Sequence, residues 1–370
     1  MKILQVNKLF PPFIGGVEEV VKTYAELLDS EGHEVIVLVC NTVNKTVIEN
    51  VGKIKIVRVS SIYMWHNMPI SLSYFYYYWR YVRWCDVVHL HEPYPIGALC
   101  FMATLTFKKK LITWHSDIVR QKIIGALILP IQLLSCFLAD KITTTSSNLA
   151  GNSRVLRFFQ KKIVVLPLSI DVNRFEFDDV IANNVINIKQ KYGSKFALFV
   201  GRLVPYKGLN ILVEAVRKID VTIVIIGSGP LREYVESQAQ SDGFIGEIVI
   251  VDDYVSNEEL VSWYYASRFF VFPSITENEA FGIVQLEAMI CSKPVINTSL
   301  ATGVPSVSIH NETGLTVEPG NIEELKSAIE MLWNDEDMVI NLGLNAKNRV
   351  IDKFSHRKIK DRLGQIIGDL

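Results

Sequence analysis

The sequence has no apolar run approaching the ~20 residues that a membrane-spanning helix needs, although 49% of its 370 residues are hydrophobic. Its start, M-K-I-L-Q-V-N, also lacks the apolar centre of a signal peptide, because Gln5 and Asn7 interrupt it; the segment reads as a strand. Cysteine is scarce. Cys40, Cys85, Cys100, Cys136 and Cys291 are odd in number and show neither disulfide nor metal-ligand spacing. They are expected to be reduced core residues of a cytoplasmic protein. There is no low-complexity tract and no short-period repeat. A net charge of one sign is lacking as well, with 38 basic residues against 39 acidic ones. That balance hides an asymmetry, since residues 1–175 hold 20 Lys and Arg against 12 Asp and Glu, and the remainder holds 18 against 27. A basic half on a hydrophobic chain implies attraction to an anionic surface. The aromatic and apolar residues beside the basic ones turn that expectation towards a membrane face, not nucleic acid.

What is present is alternation. Strand-like runs at 2–7, 34–40, 53–59, 86–91, 111–115, 142–145 and 163–168 are separated by helical spacing, as in 18–30, which Gly32 stops. The pattern loosens into the polar, acidic stretch 171–191 and then resumes at 196–200, 222–226, 248–251, 269–272, 294–297 and 315–317, with helices fitting at 209–218 and 258–266. Such alternation makes parallel sheets covered by helices. The expected fold is therefore α/β, with two doubly wound Rossmann-like domains facing a central cleft. Residues 1–172 form the first domain and 173–350 the second, and 351–370 pack back towards the first.

Two segments of the basic half stand out. Residues 63–84 are dense in Tyr and Trp, with Arg80 and Arg83; residues 118–138 combine Arg120 and Lys122 with a long apolar stretch broken by Pro130. Each suits either a membrane interface or a packed helix that lines an acceptor cleft.

Candidate chemistry gathers at strand ends, where such sheets bind ligands. In S-I-T-E-N-E-A-F-G-I-V-Q-L-E-A-M, Glu279 and Glu287 bracket a strand-to-helix turn with Gly282 at the helix start. Free N–H groups there suit an anion, and the two carboxylates can accept from sugar and ribose hydroxyls. The plainer alternative is that Glu279 caps the helix and Glu287 lies on the surface. In F-V-G-R-L-V-P-Y-K-G, Arg202 and Lys207 can neutralise a departing diphosphate or simply occupy a surface loop. I-I-G-S-G-P-L-R contributes Gly229, and V-D-D-Y-V-S contributes Val255 as a neighbour of a base edge or as part of a strand end. In the first half, F-P-P-F-I-G-G-V-E places Gly15 and Gly16 before a helix, as a phosphate approach or a turn. T-W-H-S-D brings His115 and Asp117 to a strand end, as polar contacts or structural residues. V-H-L-H-E sets His89 and His91 on one strand face beside Glu92, but no third metal ligand is evident, so no metal is expected.

In combination these motifs resemble glycosyltransferase family 4, the retaining nucleotide-sugar transferases of the GT-B fold, over nearly the whole chain. The resemblance implies that Arg202 and Lys207 hold the donor diphosphate, that Glu279 meets the transferred sugar and that Glu287 meets the ribose. It further implies that the backbone at Phe281, Gly282 and Ile283 meets phosphate and sugar, with Gly229 and Val255 on the nucleotide. Gly15 and Gly16 would approach the distal phosphate, His115 would touch the sugar near the reacting carbon, and Asp117 would stand on the acceptor side. No metal or other cofactor is implied. One departure is S-L-A-T-G-V-P-S-V, which has Gly303 but not the Gly-Gly…Glu loop of many relatives. Together with T-W-H-S-D-I-V-R-Q, it resembles the bacterial mannosyl- and rhamnosyltransferases of surface-polysaccharide (O-antigen) assembly. That points to GDP-mannose as donor, a lipid-linked or oligosaccharide acceptor, no nucleic acid, and a cytoplasmic protein attached peripherally to the anionic inner face of the membrane. The alternatives are a nucleotide-sugar 2-epimerase on the same scaffold and a non-catalytic sugar-nucleotide-binding protein.

Overall fold

In the structure, a computed structural model, residues 1–13, 15–65, 68–104, 107–117, 122–251 and 255–370 are described. Arg120 and the rest of 118–121, residues 252–254 of V-D-D-Y-V-S, and Ile14 lie outside the described residues, as do 66–67 and 105–106. The chain forms two compact units, Met1–Leu168 with Ile359–Leu370, and Ser169–Lys358.

Strands of the first unit are β1 (Lys2–Val6), β2 (Glu34–Cys40), β3 (Val47–Val51), β4 (Ile54–Val59), β5 (Tyr63–Trp65), β6 (Met68–Ile70), β7 (Val87–Glu92), β8 (Lys109–Trp114), β9 (Lys141–Thr144) and β10 (Ile163–Val165). Eight of them make one sheet in the order β10-β9-β8-β7-β1-β2-β4-β3, parallel except for β3, which pairs antiparallel with β4. The near-continuous apolar runs, such as V-I-V-L-V-C in β2, fit a sheet covered on both faces. The helix Gly16–Ser30 covers one face with Val20, Val21, Tyr24, Ala25, Leu27 and Leu28. The last helix joins the same core through Ile359, Leu363, Ile366 and Ile367. On the other face, Tyr74, Tyr78 and Tyr81 of the helix Ser73–Val82 are buried with Trp114 and Phe101. Part of the aromatic segment 63–84 is thus core.

The second unit contains β11 (Ala197–Val200), β12 (Thr222–Ile226), β13 (Glu247–Ile250), β14 (Phe270–Val271), β15 (Val295–Thr298) and β16 (Gly314–Val317). They form a parallel sheet in the order β13-β12-β11-β14-β15-β16. In both sheets the winding reverses, between β1 and β7 in one and between β11 and β14 in the other. A crevice opens at the carboxyl ends of strands where winding reverses.

The unit boundary falls at 168/169 instead of 172/173, because Ile170 bridges to Ser355 inside the second unit. The return to the first unit comes at Ile359 instead of 351, since the helix Glu336–Lys353 buries Val339 and Leu342 in the second core. Alternation did not show the edge strand β3 or the small β5–β6 hairpin, both too polar or too short to stand out.

Candidate active site

In the second unit, the loop after β11 and the loop after β14 are pressed together. Gly208 sits at φ +72, and a Cβ there would lie 1.9 Å from the carbonyl oxygen of Pro273. Ile275 N–H donates to the Tyr206 carbonyl at 2.9 Å. The close approach brings Lys207 to Glu279, with Nζ 2.5 Å from Oε2 and both side chains about nine-tenths buried, at 11% and 12% exposure. Lys207 Nζ also lies 4.6 Å from the centre of the Phe272 ring, and Ser274 Oγ donates to the same Glu279 oxygen at 3.4 Å. Arg202 is exposed and donates from Nη2 to Tyr206 Oη at 3.1 Å. The two cations thus flank the Tyr206 ring, whose centre is 5.7 Å from Lys207 Nζ.

Gly282 caps the helix Ile283–Ile290 at φ +77, and a Cβ there would meet the Phe272 ring at 2.5 Å. One turn on, Glu287 Oε2 accepts from Tyr264 Oη at 2.7 Å. Burial raises the Glu287 carboxyl above its usual range, with the Tyr264 hydroxyl and the charge of Arg174 opposing. Tyr264 packs against Phe270 and Phe270 against Phe272, at centroid distances of 5.8 and 6.3 Å. A single aromatic row therefore runs from Glu287 to the Lys207–Glu279 pair.

In the first unit, His115 follows β8 and His91 stands near the end of β7. Nδ1 of His91 is 3.0 Å from Nε2 of His115, and the rings are parallel at 5.3 Å. Burial holds all three imidazoles neutral, pushing His89 and His115 down to about 3 and His91 well below its usual range. Lys8, nearby, adds to the depression of His115. Lys8 Nζ is also 3.8 Å from Oε1 of Glu18, a carboxylate only 3% exposed. Among the described residues no group of three or more His, Cys, Asp or Glu side chains is arranged to hold a metal ion.

The arrangement can be compared with known proteins. Residues 14–174 match the family model described as Glycosyltransferase Family 4, and residues 183–349 match the one described as Glycosyl transferases group 1. D-rhamnosyltransferase WbpZ of Pseudomonas aeruginosa is 32% identical over 363 residues, spanning 96% of this chain and 92% of that protein. The chain belongs to the family 4 glycosyltransferases. O-antigen chain mannosyltransferase C of Escherichia coli is 27% identical, covering 96% of this chain and 95% of the relative. Sucrose-phosphate synthase of Thermosynechococcus elongatus superposes with a TM-score of 0.80 at 21% identity, over 100% of this chain and 98% of that one. HepE of Anabaena with UDP-glucose superposes at 0.74 and 16% identity, with full coverage of both chains. Two parallel-sheet Rossmann-like units and these likenesses make the fold GT-B.

In this glycosyltransferase, Lys207, Glu279, Gly282, Ile283 and Glu287 fall together in the second unit, and Arg202 joins them through Tyr206. The surface alternative for Glu287 fails, because its carboxylate is held against the core by Tyr264. Phe281 is buried and packs edge-on to Phe354, so only its backbone is available to a ligand. Gly229 has an internal reason to be glycine, since a Cβ would lie 2.5 Å from the Leu203 carbonyl. Val255 lines a cavity with Tyr192 and Trp263.

In the first unit, a Cβ at Gly15 would displace the Glu18 carboxylate, at 2.1 Å from Oε2, whereas one at Gly16 would meet nothing within 4 Å. Packing therefore accounts for the first glycine and leaves the second open to a ligand. Asp117, expected on the acceptor side, is half-buried and bound within its own unit. Its carboxylate accepts from Trp114 Nε1 (3.0 Å), Ser153 Oγ (2.7 Å) and Arg154 N–H (2.9 Å), and so fastens one loop to another. Residues that sequence reading missed include Tyr264, which looked like an ordinary core aromatic, and Glu18, which looked like any acid in a first helical turn.

Proposed function

We propose that this glycosyltransferase moves a hexose, mannose from GDP-mannose, to a lipid-linked or saccharide acceptor in bacterial surface-polysaccharide (O-antigen) assembly, with the anomeric configuration retained. The observation that carries the reading is the buried Lys207–Glu279 pair at 2.5 Å. A cation and an acid meet there beside a helix N-terminus, which suits a diphosphate joined to a hydroxyl-rich ring. The likeness to a rhamnosyltransferase and an O-antigen mannosyltransferase supports the choice of sugar and pathway.

In the proposed step, the bond from the anomeric carbon to the β-phosphate oxygen breaks. The acceptor oxygen bonds to that carbon on the same face, and its proton passes to the departing phosphate. Lys207 and Arg202 stabilise the charge that develops on the leaving diphosphate. Glu279 holds the sugar and Glu287 the ribose diol, while neutral His115 hydrogen-bonds the sugar near the reacting carbon. The protein's own residues supply this chemistry without a metal or other cofactor.

Attachment to an anionic membrane belongs to the same proposal. Among the described residues no helix is long and apolar enough to cross a bilayer. The outward face of Ser73–Val82, however, carries exposed Phe75, Tyr76 and Trp79 with Arg80, and Arg83 follows. Aromatic rings beside arginines suit an interface.

The test is transfer from GDP-mannose to a mannosyl acceptor, with the product anomer read by NMR. Lys207→Ala and Glu279→Ala should each lower kcat by ~10²–10³, the scale of a lost transition-state charge contact, in a protein that still melts cooperatively. Turnover close to wild type in either variant, or an inverted product, would overturn the mechanism.

A further inference from the structure

The V-H-L-H-E motif has the spacing of a metal site, but the structure gives its histidines a different arrangement. His89 Nε2 is 2.7 Å from Thr113 Oγ1, which is itself 2.7 Å from Thr143 Oγ1. The His91 ring is packed against His89 at a centroid distance of 4.4 Å and against Tyr24 at 6.1 Å, and it is fully buried. Within this enclosure its Nδ1 is aimed at Nε2 of His115 at 3.0 Å. Two ring nitrogens at that distance need one hydrogen between them, so the pair can exist in two tautomeric arrangements.

The orphaned atom of His91 decides between them. Among the described residues its buried Nε2 has no partner. If His115 donated to His91, that Nε2 would carry an unbonded N–H. If His91 donates, only a bare lone pair is left there. Buried N–H groups without a partner are the rarer defect, by analogy with the backbone. The second arrangement also leaves His115 protonated on Nδ1, the nitrogen for which no described residue provides a partner.

We propose that His91 is a positioning residue for glycosyl transfer: by donating Nδ1–H to Nε2 of His115, it fixes His115 as the Nδ1–H tautomer, a neutral hydrogen-bond donor to an oxygen of the sugar. The inference rests on the reading that His115 touches the sugar. A second hydrogen-bonded residue that orients a functional imidazole has a known scale of effect, a loss of ~10–100-fold when it is removed from a metal-bound histidine.

Nitrogen-15 NMR of histidine-labelled protein tests the tautomer directly, and His115 should be protonated on Nδ1 in the wild type. His91→Asn keeps an amide N–H at the place of Nδ1 and should preserve both that signature and kcat to within about threefold. His91→Leu removes the donor; His115 should change tautomer and kcat should fall ~10–100-fold with the donor KM little altered. His115 found protonated on Nε2 in the wild type would overturn the inference even if no variant folded. So would a folded His91→Leu that turns over like wild type while His115→Ala is inactive. Wild-type transfer by His115→Ala would instead remove the sugar contact on which the inference rests.

Discussion

Two clusters solve the burial of polar groups in opposite ways, the Lys207–Glu279 pair of the second unit and the imidazoles of the first. In the second unit, opposite charges are kept and paired, as in Lys207–Glu279, with the ammonium lying over the Phe272 ring. In the imidazole cluster of the first unit charge is suppressed, and burial lowers the pKa of His89, His91 and His115 so that they stay neutral. A paired cation suits a diphosphate, whose charge has to be met as it leaves. Neutral donors and acceptors suit sugar hydroxyls, which carry no charge to meet. On the proposed reading, the second unit's buried cation is the group suited to the leaving diphosphate.

The glycines offer the sharpest way to break that contrast. Gly208→Ala would press a Cβ into the Pro273 carbonyl from a left-handed backbone, and should destabilise the protein by about 3 kcal/mol, in the range of severe steric and backbone strain. Gly16→Ala meets nothing within 4 Å and opens a helix, so its stability should stay level or rise by about 0.5–1 kcal/mol. If Gly16 admits a phosphate, the same variant should nevertheless lose turnover. Thermal melts paired with transfer rates check both, and a Gly208→Ala protein as stable as wild type would show the contact between the loops after β11 and β14 to be loose.

A smaller effect follows from pH. The three buried imidazoles have folded values below the ordinary 6.5, so their stabilisation is full above 6.5 and is lost as pH falls towards about 3. Glu92 runs the other way, pushed up by burial from 4.5 to about 7. Its contribution is full below 4.5 and is lost as pH rises to 7. With three imidazoles against this one carboxyl, the melting temperature should rise between pH 4.5 and 6.5, and Glu92→Gln should steepen the rise. A melting temperature that falls over that interval would mean the imidazoles are charged in the folded protein.

The smallest expected change is at Tyr264. Its hydroxyl donates to Glu287 at 2.7 Å, a bond worth about 1 kcal/mol, so Tyr264→Phe should weaken nucleotide binding about fivefold while sparing kcat. Unchanged affinity in a titration would separate Glu287 from the nucleotide.

Much of this was legible beforehand, for physical reasons. Strands buried on both faces announce themselves as apolar runs, so β2, β11 and β12 could be read nearly to the residue. Lys207 and Glu279 could be named because strand-end loops bear ligands in such sheets. Their pairing could not be read, because it depends on Gly208 allowing two loops far apart in the chain to touch. His89 and His91 were visible as a motif, but which nitrogen faces which neighbour is set by tertiary packing. Asp117 shows the opposite limit: an acid beside a functional histidine looked available, yet three donors from its own unit hold it.

Calorimetric titration of GDP into wild type, Lys207→Ala and His115→Ala tests the division between charged and neutral sites most directly. Binding should be weakened at least tenfold by Lys207→Ala, the effect of about 1.4 kcal/mol, and left within twofold by His115→Ala. Equal loss in both variants, or loss only with His115→Ala, would contradict the assignment of the diphosphate to the second unit.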